Sequence, residues 1–128
     1  MIKKLTKTVI VLMLSGMFSQ AVIAQEAGAA LKTIADIVSS LNHYPSDADK
    51  AALAEIEANS NLPQGVRDMA STVASISHSA NAEGKEAMAQ IQGNEEAPER
   101  AKQLASIIAN INHVASDEAK ATLAELYP

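Results

Sequence analysis

Displacing the chain by 35 residues lays it over itself. His43, His78 and His113 coincide under that shift, as do Lys50, Lys85 and Lys120, and Pro63 falls on Pro98. Lys32, Arg67 and Lys102 keep a positive charge. Large apolar residues recur at Ile34/Met69/Leu104, Val38/Val73/Ile108, Leu41/Ile76/Ile111, Leu53/Met88/Leu123 and Ile56/Ile91/Leu126. The chain therefore divides into copies at 29–63, 64–98 and 99–128. A unit this short cannot bury its apolar face alone, so like units must pack against one another.

Each copy reads as a helix hairpin. Leu31, Ile34, Ala35, Val38 and Leu41 recur at three- and four-residue steps and share one helical face, which predicts a first helix from about Ala29 to Asn42. Asn42-His43-Tyr44-Pro45 breaks it. Ser46-Asp47-Ala48-Asp49 then supplies an N-cap with acids in the first turn. Ser116-Asp117-Glu118 repeats that signal and Asn81-Ala82-Glu83 is its weaker form. The second helix ends near Asn59 in the first copy and at Gly93-Asn94 in the second. Pro63 and Pro98 stand where a helix begins and a missing N–H costs little. The expected fold is all-α: three tandem 35-residue helix hairpins, six helices in all, stacked as a short α-solenoid or a compact helical array.

The N-terminus reads differently. Lys3, Lys4 and Lys7 precede an apolar run from Val9 to Leu14, and Val22-Ile23-Ala24 offers small residues ahead of Gln25. This is the pattern of a cleavable secretory signal peptide over 1–24. The run is too short and too interrupted for a spanning helix. The expectation is a periplasmic or secreted protein, 25–128, with no stable membrane insertion after cleavage. Removing 1–24 takes three lysines and no acid, which moves the formal charge from −5 to −8. An acidic chain without a basic patch does not suit nucleic acid. Only Tyr44 and Tyr127 remain as aromatics, and no cysteine exists to form a disulfide or attack a substrate.

Candidate chemistry rests on the repeated polar residues. If the first helix ran through His43, that residue would lie about 150° from the apolar stripe, among exposed groups at the helix end. One reading is an imidazole that caps carbonyls or packs in the turn. The other is a metal site built from His43, His78 and His113. In a linear stack with helices about 8–10 Å apart, the first and third histidines cannot share an ion, and a three-histidine shell demands strong curvature. The lysines seven residues on read as solvated partners of Asp47 and Asp117. Together His43, Lys50, His78, Lys85, His113 and Lys120 form a candidate interaction row for an acidic protein or peptide.

Met69 and Met88 sit at apolar positions and read as core. Glu95, Glu96 and Glu99 lack the ligand spacing of a Ca²⁺ loop. Catalysis has no obvious seat, since the notable polar groups recur by translation and an active site needs unlike groups at one point. The expectation is a non-enzymatic binding or scaffolding module without a cofactor. The alternatives are a metal-binding or pH-responsive envelope protein using the histidines, and a periplasmic stress chaperone.

Overall fold

The computed structural model describes residues 25–128; the signal peptide expected over 1–24 lies outside them. Six helices follow in order: α1 (25–40), α2 (Asp47–Ala58), α3 (Gln64–Ala74), α4 (Ala82–Gln92), α5 (Glu99–Ala109) and α6 (Asp117–Leu126). They form a compact all-helical array of three hairpins. No helix among the described residues is long and apolar enough to cross a membrane.

Local chemistry sets the boundaries. Ser46, Asn81 and Ser116 cap α2, α4 and α6, their side chains accepting from the N–H of Asp49, Gly84 and Ala119. Each bond satisfies a donor that the first turn leaves free. Pro63 and Pro98 are the residues before α3 and α5. Asn59 and Asn94, also 35 apart, turn the chain between copies: their Oδ1 atoms accept from the N–H of Asn61 and Glu96. α4 ends at Gln92 with Gly93 as its C-cap, where the sequence places the break; Gly93 holds φ −83°, an ordinary right-handed value.

The copies close on themselves. Ile34, Val38, Met69, Val73, Leu104 and Ile108 are essentially inaccessible, which places α1, α3 and α5 on the inside. The outer helices each contribute one deeply buried side chain, Leu53, Met88 and Leu123. α2 packs on α3 and α4 on α5, across the copy boundary. The same step carries α6 back to α1, where Asp36 and Ser39 line one shallow cleft with Lys120, Leu123 and Tyr127. Tyr127 is buried at this seam with Arg100 5.3 Å over its ring; burial raises its pKa and the nearby cation partly offsets that. The inner helices touch neighbours on more than one side, so Ile37 is buried as well, outside the narrow stripe expected from the sequence.

The copies are not identical. Thr72 is the buried counterpart of Ile37 and Ile107, and it faces Gly84 of α4. A Cβ at Gly84 would stand 2.6 Å from Thr72 Cγ2, which no real Cβ tolerates. The missing side chain lets α4 lie close on α3. α6 carries Ala119 in that place and stands off α5, leaving a shallow groove between them. Gly84→Ala is therefore expected to destabilise the protein by about 1–3 kcal/mol through overpacking, against the ~1 kcal/mol that alanine contributes in an open helix. On a Thr72→Ser background, which removes Cγ2, the same change is expected to be neutral or stabilising. Urea unfolding of the four variants measures the coupling.

A candidate metal centre on the threefold axis

The turn between the two helices of each copy is where the structure departs most from expectation. α1 ends at residue 40, so His43 does not continue its helical wheel. His43, His78 and His113 instead take φ values of 70°, 72° and 70°. They are the only positive-φ residues among those described. The left-handed region costs a side-chain-bearing residue roughly 1–2 kcal/mol and suits glycine or asparagine better. At all three corners the chain spends that cost on an imidazole.

The backbone explains how the corners are held. The His43 N–H donates to the His113 carbonyl, His78 to His43, and His113 to His78, each at 2.6 Å. The three bonds form a closed cycle in which every histidine both donates and accepts. This fixes the three hairpins around a pseudo-threefold axis and supplies the curvature that a linear stack lacks. It also satisfies backbone groups that the left-handed turn removes from any helix.

The cycle gathers the side chains. Ring centroids lie 5.2 Å apart for His43–His78, 5.0 Å for His43–His113 and 5.0 Å for His78–His113. One nitrogen from each ring lies within 4.8 Å of the other two. An imidazole centre sits about 3.2 Å from a Zn²⁺ bonded at about 2.0–2.1 Å, so three in a tetrahedral shell stand with centres about 5.2 Å apart. The rings are already at that spacing. Two of the three side chains are exposed.

The neighbouring residues select the ring proton at two corners. With the amide oxygen turned to the ring, His43 Nδ1 donates to Asn42 Oδ1 at 2.5 Å and His113 Nδ1 to Asn112 Oδ1 at 2.7 Å. An oxygen acceptor requires the proton on Nδ1, which leaves Nε2 with a free lone pair for a metal. These nitrogens bond side-chain amides within the turn, not the terminal carbonyls of α1 and α5. Ser77 occupies the third corner, and no hydrogen bond to the His78 ring is present among the described residues.

The rim differs by corner too. Among the described residues, Tyr44, 61% exposed, and Val114, 43% exposed, are the large apolar side chains left open to solvent, and each follows a histidine. Ser79 takes the corresponding place beside His78.

The lysines do not share this convergence. Lys50, Lys85 and Lys120 are exposed in the first turns of α2, α4 and α6. Neither Asp47–Lys50 nor Asp117–Lys120 forms an ion pair; Lys32–Asp36 is the salt bridge seen among the described residues. The histidines meet at one point, while the lysines stand at the starts of the outer helices. Sequence reading identified the histidines through their period but missed Asn42 and Asn112, whose signal is simply that each precedes a repeated histidine. No family model, no curated protein and no solved structure matches the chain.

Proposed function

We propose that this protein binds one divalent transition-metal ion at His43, His78 and His113. The observation that supports the reading is the convergence of three imidazole nitrogens on one axis. All three ligands are neutral nitrogen donors, which suit Zn²⁺, Cu²⁺, Ni²⁺ or Co²⁺ and do not suit Ca²⁺ or Mg²⁺. The tetrahedral spacing favours Zn²⁺, with Co²⁺ as its spectroscopic substitute. Three protein ligands leave a fourth position for water or an external donor. The signal-peptide pattern of 1–24 supports a role in the periplasm or outside the cell, and the role we propose is binding, without catalysis. A metal ion thus takes the place of the protein or peptide partner expected for a scaffold.

A titration tests the reading. One Zn²⁺ per chain is expected, raising stability by about 2.7 kcal/mol at a hundredfold excess over the dissociation constant. Co²⁺ should give the intense visible bands of a tetrahedral site. Asparagine tolerates the left-handed region, so His43→Asn, His78→Asn and His113→Asn should fold and each lose binding to a similar degree. In a closed triangle no histidine is central. An unchanged melting curve with Zn²⁺, or variants that bind as tightly as the parent, would refute the assignment.

A further inference from the structure

The three corners share a backbone but not a surrounding. Asn42 and Asn112 hold their neighbouring rings by hydrogen bonds, whereas Ser77 leaves His78 without one among the described residues. His78 and His113 are exposed, while His43 is half-buried. Tyr44 and Val114 follow the other two histidines in the chain, whereas the small Ser79 follows His78. Both sequence differences, Ser77 for asparagine and Ser79 for a large apolar residue, fall at the same corner. The ring without a hydrogen bond from its neighbour is also one of the two exposed rings.

From this asymmetry, which builds on the metal-binding reading above, we propose that Ser77-His78-Ser79 is the gate through which the site passes its metal to an acceptor. A donor atom of the acceptor enters past Ser79 and bonds to the ion at the fourth position. The bond from the ion to the His78 nitrogen then breaks, and the freed lone pair returns to hydrogen bonding with water. The His43 and His113 bonds are exchanged afterwards. Each step forms one metal–ligand bond and breaks one, with no change of oxidation state. Hydrogen bonds to a ligating histidine typically raise metal affinity 10- to 100-fold, so the ring without one is the first displaced. The acceptor is a chelating group with nitrogen, oxygen or sulfur donors that reach past a small side chain.

Stopped-flow transfer from the Zn²⁺-loaded protein to 4-(2-pyridylazo)resorcinol tests the gate. The transfer rate is expected to rise in proportion to the chelator concentration, because the chelator joins before a histidine leaves. Ser77→Asn gives the third corner the restraint of the other two and should slow transfer about tenfold or more. Ser77→Ala should match the parent. Ser79→Val, which copies the Val114 corner, should slow transfer while Zn²⁺ stoichiometry and melting temperature stay the same. A rate independent of chelator concentration would overturn the proposal while leaving metal binding intact. So would parental rates in both Ser77→Asn and Ser79→Val. Failure to load Zn²⁺ at all would remove the proposal together with the function it rests on.

Discussion

Removing residues 99–128 is expected to abolish cooperative folding of the remaining two copies. In an open solenoid, repeats contribute intrinsic and nearest-neighbour terms, so two of three copies keep a weakened but recognisable transition. A closed ring behaves differently. The deletion takes Leu104, Ile108 and Leu123 out of the core and uncovers Ile34 and Val38 on one side and Met69 and Val73 on the other, all nearly inaccessible in the intact protein. It also removes two of the three backbone bonds between histidines, His43 to His113 and His113 to His78. Burying a large aliphatic side chain stabilises by about 1.5–3 kcal/mol, and net stability is only about 5–15 kcal/mol, so losing several such contacts exceeds the margin. Circular dichroism of 25–98 during heating should show no sigmoidal transition. A cooperative melt would mean that neighbouring copies suffice and closure is incidental.

Met88→Ala should cost about 2–5 kcal/mol, the range for a large core side chain cut to alanine. Met88 is fully inaccessible and aligned by the repeat with Leu53 and Leu123, at 0% and 2% exposure. Each is the main anchor of an outer helix whose other side faces solvent. Losing one therefore loosens a whole helix from the inner three. Ser39→Ala, on the polar side of α1 beside the shallow cleft, should stay within about 0.5 kcal/mol. Chemical denaturation of both variants measures the contrast; equal losses would show that the inner and outer faces are misassigned.

The repeat, the hairpins and the principal core positions were legible because helical periodicity and the 35-residue shift act on the same residues. Leu53, Met88 and Leu123 followed from that pattern alone. Ring closure did not, because an inner helix shows the same apolar stripe whether its copies lie in a line or around an axis. Curvature was set at the turns, and the turns carry histidine where a left-handed residue is usually announced by glycine or asparagine. Extending the helix through His43 placed the imidazoles along a row of exposed groups. With α1 ending at residue 40 and φ turning positive at His43, that extrapolation fails, and residues 35 positions apart in sequence become neighbours at 5.0–5.2 Å. The Gly84–Thr72 contact was equally hidden, since it pairs two departures from the repeat that look unrelated along the chain.

Covalent linkage of the corners has a further consequence. Three separate 35-residue chains arranged this way would be bound by their own symmetry, and any change at one vertex would appear at all of them. Concatenation lifts that restriction. Asparagine precedes the histidine at two vertices and serine at the third, and glycine opposes threonine in one hairpin only. Each is an edit that a homotrimer cannot hold. A scaffold generated by rotation thereby acquires three distinguishable sides.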